Sequence, residues 1–426
     1  MMCAPLHLVG KESSHSMRSF LPLIKSEWRL LLFGFAMTFG SSLGQTYFIA
    51  LFSGQIRADL GISHTTFGAV YSGATLLSAV LLLWTGTLID RMDLRRFAYM
   101  SVLGLALGCL ILAGGQGVIT LFIAILVLRH MGQGLMSMAG VTSIVRYIDQ
   151  QRGKANAISG IGFSFSEAVL PSAVIALLAV LGWRESWLLS ATILIAVLPL
   201  MIFWLLGTHD TRHAHYVERL SADDADENTV AQRQWTRDEV VRDPLLYLFM
   251  PAMLTQPMLY TGFMFHQVQL VEEKGWSLVM WGSLYLLYAM TTIGMKLVSG
   301  LLVDRFGAIR LVPYLALPLG LGLLLLSTSD SVLIAVMFMF LLGIGVGNYS
   351  TLSSPFYAEM YGTLHLGSIK SVTTAAMVFA SAIAPVIMGW MIDDGVSMDM
   401  MALMGVAYVV VATGLAWLGY RLKRNE

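Results

Sequence analysis

Twelve apolar stretches, each long enough to cross a bilayer, run through this chain with mostly short polar breaks between them. A helix that spans the hydrocarbon core needs ~20 mostly apolar residues. Stretches of that kind lie near 28–52, 65–90, 96–114, 118–147, 152–180 and 184–206. Six more follow near 245–272, 277–303, 309–328, 331–361, 366–391 and 399–421. Lipid offers no hydrogen-bond partners, so such spans satisfy their backbones internally, as helices. Charged residues are 12% of the 426, against about 25% in an ordinary soluble domain. That leaves too little polar surface to cover a water-facing globule.

The spans fall into two sets related by a repeat. Gly86-Thr87-Leu88-Ile89-Asp90-Arg91 recurs 214 residues on as Gly300-Leu301-Leu302-Val303-Asp304-Arg305. The same shift carries Gly68 to Gly282, Tyr71 to Tyr285, Arg96 to Arg310, Tyr147 to Tyr361, Gly153 to Gly367 and Pro171 to Pro385. Matches at fixed offset and without a gap are the mark of duplication. The expectation is an all-α membrane protein of twelve transmembrane helices in two pseudo-symmetric bundles, 28–206 and 244–421. Between the bundles lies a polar linker, 207–243; the tails are 1–27 and 422–426.

Charge sets the expected orientation, because Lys and Arg collect in cytoplasmic loops. With the N-terminus inside, three of the 26 basic residues face out (Arg57, Arg184, Lys274), two lie within spans (Arg129, Lys296), and 21 are cytoplasmic. Both termini are thus expected in the cytoplasm. Lys11, Arg18, Lys25 and Glu27 interrupt the first 27 residues, which read as a cytoplasmic tail rather than a cleavable signal. The net charge of zero gives no reason to expect nucleic acid. Cys3 and Cys109 form neither a disulfide framework nor a metal site.

Gly86-x-x-x-Asp90-Arg91-x-x-x-x-Arg96 resembles the loop motif between helices 2 and 3 of the major facilitator superfamily. Its copy, Gly300, Asp304, Arg305 and Arg310, is the fuller match, because Gly307 stands where the first half has Asp93. Arg129-His130-Met131-Gly132-Gln133-Gly134 resembles the helix-4 motif of that family, and Gly182-Trp183-Arg184-x-x-Trp187 the turn before helix 6. The resemblance implies a secondary transporter that rocks its two halves about a midplane site. In the loop motif, a carboxylate at a helix end can cap a neighbouring helix and pair with Arg. Such a contact acts as a latch if it forms in one tilt and breaks in the other.

Ionisable side chains inside a bilayer are costly and mark function by default. Arg129 lies near mid-depth in the fourth span and Lys296 in the eighth. Both are candidates for an anionic substrate, with a buried structural role as the alternative for Arg129. Lys296, four residues before Gly300, resembles a helix-8 position of the monocarboxylate and oxalate/formate branches, which use a cation there to bind a carboxylate. Those branches carry Arg at this place and a carboxylate one turn earlier, where this chain has Thr292. Glu167, in the fifth span, is the candidate for loading a proton; the alternative is a Glu bonded to Ser164 or Ser166.

Gln45 and Tyr47, with Thr38 and Ser41, are expected to line the first helix. Tyr285 and Tyr288 lie on the stripe of Lys296. Gln256, Tyr260 and His266 are candidates on the seventh helix, His266 toward the outer mouth. Gly343, Gly345 and Gly347 invite close packing of the tenth, and Glu359 is expected to pair with arginines at the rim.

No phosphate-binding loop, metal set or nucleophile constellation appears, so ATP-driven transport and membrane enzymology are not expected, nor is a cofactor. The reading is a carrier of a small mono- or dicarboxylate, proton-coupled or exchanging, functional as a monomer in a cytoplasmic (inner) membrane. The alternatives are a proton-antiport exporter of amphipathic or drug-like compounds and a nutrient-sensing receptor on the same fold. Drug antiporters carry a Gly-Pro-rich fifth helix, whereas Gly160–Glu167 here contains no proline.

Overall fold

A computed structural model describes residues 20–148, 152–207, 235–362 and 365–425. All regular structure among them is helical. Ten helices are long and apolar enough to cross a membrane. They are helix 2 (His64–Thr85), helix 3 (Leu94–Gly114), helix 4 (from Val118), helix 5 (Arg152–Leu178) and helix 6 (from Trp183). In the second half they are helix 8 (Leu278–Phe306), helix 9 (from Ala308), helix 10 (Val332–Tyr361), helix 11 (Leu366–Asp393) and helix 12 (Met398–Asn425).

The remaining two crossings, helices 1 and 7, are made in pieces. Helix 1 runs Phe20–Gly40, tightens at Ser41–Gly44, breaks at Gln45 (φ −84, ψ 153) and resumes at Thr46–Ala50 and Ser53–Leu60. It therefore starts before residue 28, with non-helical backbone at Glu27. Helix 7 runs Pro244–Thr255, widens into a π turn at Gln256–Tyr260, and continues through Thr261–Phe265 and Gln267–Glu273. Shifted by 214, that π turn falls on 42–46, so the two halves interrupt the same helix at the same place. Between the halves, Arg237–Arg242 forms a short helix; residues 208–234 of the linker lie outside the described residues.

With an even number of crossings, both chain ends share one face, called here the terminal face; the other is the distal face. The distal loops of each half are tied by one cation. Arg184, at the start of helix 6, pairs with Asp59 at 2.6 Å and donates to the carbonyls of Ala113 and Gly115. In the second half Lys274, at the end of helix 7, pairs with Asp399 at 2.6 Å and Asp330 at 2.8 Å and donates to the carbonyl of Ser329. Gly115 and Ser329 are 214 residues apart, and so are the loops they serve. The charges have changed places: the sixth helix supplies the cation in one half, the twelfth a carboxylate in the other.

Small residues let helices 1, 4 and 5 approach closely. A methyl on Gly44 would lie 3.0 Å from the Cα of Gly132, and one on Gly140 would lie 2.9 Å from the carbonyl oxygen of Gly34. Helix 10 packs on helix 8 in the same way, Gly343 and Gly347 lying against the carbonyls of Tyr288 and Thr292. Glu359 accepts from the amides of Ala308 and Ile309 (2.7 and 3.1 Å), holding the start of helix 9.

Candidate functional site

The halves meet along helices 2 and 11 on one side and helices 5 and 8 on the other, and the seam is sealed toward the distal face. Gly68 lies on Pro385: an added methyl would come within 2.9 Å of its carbonyl carbon. The copy, Gly282, lies against Ser172 and Ile175, just past Pro171. The glycine and proline pairs that mark the repeat are therefore the two symmetric contacts of the seal. Ser72 donates to the carbonyl of Ala382. Asp393, the last residue of helix 11, caps helix 2 by accepting from the amides of His64 (3.1 Å) and Thr65 (2.7 Å) and from the Thr65 hydroxyl.

Gln267 closes the middle of the seal. Its amide nitrogen donates to the Tyr47 carbonyl across the seam at 3.0 Å. Its oxygen accepts from Trp281 Nε1 (2.9 Å) and from the Tyr285 hydroxyl (2.8 Å). Phe265 packs on Tyr71, ring centroids 4.5 Å apart. Among described residues, the hydrogen bonds that join the halves by these side chains all lie in this distal part. Toward the terminal face the walls stand apart: methyls on Gly160 of helix 5 and Gly300 of helix 8 would meet nothing within 4 Å.

Just terminal to the seal, helices 5 and 8 bring Glu167 and Lys296 together. The two stand on facing helices of the seam, near enough for each charge to bear on the other. Neither side chain forms a contact ion pair, and both are half-buried. Lys296 starts two turns nearer the terminal face, but helical side chains lean toward their N-terminus, which aims its ammonium back at Glu167. A tyrosine wall surrounds the carboxylate. Tyr288 donates to Tyr260 at 3.4 Å, and the ring of Tyr285 lies 6.0 Å from Tyr288 and 5.9 Å from Tyr47. The Tyr47 hydroxyl donates to Ser166 at 3.3 Å, and Ser166 meets Ser42 at 2.5 Å. Ser166 is thus engaged with helix 1, while Glu167 turns to the seam.

Arg129 sits in the first half, 4% exposed. It lies in a π turn, Leu128–Met136, a distortion often found at functional places. Its Nη1 donates to the carbonyl of Gly44 (3.1 Å), left free by the break in helix 1, and to Thr46 (3.4 Å). The guanidinium lies 5.2 Å from the centre of the Tyr71 ring, whose hydroxyl meets Thr46 at 2.5 Å. No carboxylate among the described residues pairs with it. Arg129 thus supports the break through Gly44 and Thr46, and Gln45 stands half-buried at the break itself. Thr38 and Ser41 do not line a cavity: both are fully buried, Thr38 donating to Ser159 on helix 5 at 2.7 Å and Ser41 to Thr38.

His266 belongs to the distal seal. It is bonded to the Pro385 carbonyl at 2.9 Å, with the His64 ring 5.8 Å away. The loop-motif residues lie on the terminal face. Gly86 packs under the Leu82 carbonyl and Met138; the side chains of Asp90 and Arg91 lie outside the described residues. Arg96 is exposed, its amide bonded to Asp93, which caps helix 3. In the second copy Asp304 is exposed and unpaired, and Arg305 and Arg310 flank Phe306 at 5.2 and 5.7 Å.

Gln267 and Asp393 were not among the sequence candidates. Each stands at a helix end, where a polar residue looks like ordinary loop chemistry; the signal available was a carboxylate placed to meet the start of another span.

The comparisons agree with this architecture. A family model described as Major Facilitator Superfamily matches residues 34–385. No individually curated protein matches the chain. Among solved structures, the nucleoside transporter NupG is similar with a TM-score of 0.68 at 14% identity, covering 92% of this chain and 98% of that one. A bacterial homologue of the human lysosomal transporter Spinster, inward-facing and unoccupied, is similar with a TM-score of 0.65 at 13% identity, covering 92% and 96%. Identities this low establish the shared fold alone. From the family match, the duplicated six-helix halves and the seam between them, the chain belongs to the Major Facilitator Superfamily and has its transporter fold.

Proposed function

We propose that the protein is a secondary carrier of a small organic anion, coupled to protons through Glu167, with Lys296 as the cation that receives the substrate carboxylate. The observation that carries this reading is the Glu167–Lys296 pair, on opposite walls of the seam near mid-depth and without a contact ion pair. An ammonium that can be approached either by Glu167 or by a substrate carboxylate links the two. When the substrate takes Lys296, Glu167 loses its stabilising neighbour and favours the protonated form. Binding then brings in one proton, and both travel as the halves rock.

In this reading the described state is open to the cytoplasm, because the terminal face, rich in Lys and Arg, is the open one. The motif copy on helix 8 is disengaged there, as expected of a latch that closes in the opposite tilt. Gln45 and Tyr260, both half-buried, supply polar lining, with the buried Tyr47 and Tyr288 behind them, and Arg129 serves the site through helix 1. The protein acts as a monomer in a cytoplasmic membrane.

Thermal stabilisation of the purified protein against mono- and dicarboxylates, sugars, amino acids and cationic drugs tests the reading. It predicts stabilisation by carboxylates that disappears in Lys296→Ala. A response only to neutral or cationic compounds, unchanged by that substitution, contradicts it and favours an exporter.

A further inference from the structure

An apolar groove of about 410 Å³ runs up the outside of the first half between helices 1, 5 and 6. Leu32, Phe39, Leu170, Val174, Ile193 and Met201 are among its walls. From Met201 to Leu189 on helix 6 it extends twelve residues, or about 18 Å at ~1.5 Å per residue, so it follows more than half the hydrocarbon thickness. Its volume falls within the ~300–1,000 Å³ of sites that hold small molecules. It faces lipid rather than the seam.

One turn beyond Leu32 and Met201, at the terminal mouth of the groove, stand Trp28, Arg29 and Trp204. The indoles meet edge to face at 5.2 Å, and the Arg29 guanidinium lies 5.5 Å from one ring and 5.9 Å from the other. Arg29 makes no ion pair with a described residue, and Lys25, one turn earlier, is exposed. Tryptophan favours the headgroup level of a bilayer, and basic residues there attract anionic lipid. The other half supplies an internal control. Its related groove between helices 7, 11 and 12 is only about 180 Å³. Where the first half has Trp28, Arg29 and Trp204, the second has Arg242, Asp243 and Leu418. Asp243 there is buried and bonded to Tyr361, so the aromatic bracket and its cation occur in the first half alone.

We propose that this groove is a binding site for one anionic phospholipid, its acyl chain along helices 1, 5 and 6 and its phosphate on Arg29 between the two indoles. The site is separate from the seam and independent of which substrate is carried. Native mass spectrometry of the delipidated protein, titrated with phosphatidylglycerol or phosphatidylcholine, tests it. One phosphatidylglycerol is expected to bind at least about ten-fold more tightly than phosphatidylcholine, the scale of one charge-assisted contact. Arg29→Gln removes that preference while leaving chain binding. Ala173→Phe, a substitution at an exposed groove position, weakens both lipids. Helix content and elution volume verify that the variants are folded. Equal binding of the two lipids by the unaltered protein overturns the proposal, as does a preference that survives both substitutions. Competition by inorganic phosphate alone, at the same ionic strength, also overturns it by showing a bare anion site.

Discussion

Glu167 on helix 5 and Lys296 on helix 8 stand on opposite walls of the seam between the two halves, each half-buried and neither in a contact ion pair. They come from helices of opposite halves, so in the proposed rocking motion their separation is tied to the state of the carrier. A fixed salt bridge within one half would have no such dependence.

Lys296 is expected to dominate anion affinity. Removing a charge-assisted hydrogen bond costs about 1.5–3 kcal/mol, or ten- to hundred-fold in Kd. Lys296→Ala should therefore weaken carboxylate binding by that factor in a calorimetric titration. Lys296→Arg should retain part of it, since the charge remains while the donor geometry changes.

The distal seal is tight enough that one side chain should open it. Adding bulk to a packed contact costs about 1–3 kcal/mol, so Gly68→Leu, set against Pro385, should favour the distal-open state. Asp393→Ala removes a helix cap worth about 1 kcal/mol and should shift the same equilibrium by about five-fold. Alkylation of a Ser72→Cys reporter by a membrane-impermeant maleimide measures both: the rate should rise in each variant, more in Gly68→Leu.

The exposed, unpaired Asp304 makes no contribution to the described state. Asp304→Asn is expected to leave the stability within about 0.5 kcal/mol of the parent, as at other exposed positions. It should nevertheless slow exchange across vesicles, because the latch proposed for it forms in the opposite tilt. A melting curve and a counterflow rate measured on one preparation separate the two effects.

The two distal clusters should differ in strength. Lys274 has a side chain 1% exposed between aspartates that are 68% and 41% exposed. Burial alone would lower its pKa, but the bonds from Asp330 and Asp399 outweigh burial and hold it above the ordinary 10.5. A raised pKa means stability that is complete below pH 10.5 and lost as pH climbs through the folded value. Lys274→Met should cost about 1–2 kcal/mol, discounted for the exposed partners, and should flatten the alkaline fall in melting temperature. Asp59→Asn, in the more open Arg184 pair, should cost under about 1 kcal/mol.

Much of this architecture was legible in the residues. Apolar runs of bilayer length marked the helices, and the 214-residue repeat singled out Gly68, Gly282, Pro171 and Pro385, which became the seal. Glu167 and Lys296 stood out because charge inside lipid is rare. The breaks in helices 1 and 7 were hidden, since nothing local forces them: Gly44 yields because Gly132 lies against it and Arg129 takes its carbonyl. Thr38 and Ser41 misled because helical periodicity groups residues on a face without saying whether that face meets a cavity or helix 5. Lys274 counted only as a loop charge, and Arg184 as a loop charge within a turn motif; their pairing stayed hidden because their partners are distant in sequence.

Anion uptake into vesicles under an imposed proton gradient, compared between the unaltered protein and Glu167→Gln, tests the coupling most directly. The account predicts that the unaltered protein accumulates the anion against its gradient. Glu167→Gln should still exchange it but no longer accumulate it. Uptake indifferent to the proton gradient in the unaltered protein, or gradient-driven accumulation that persists in Glu167→Gln, would contradict it.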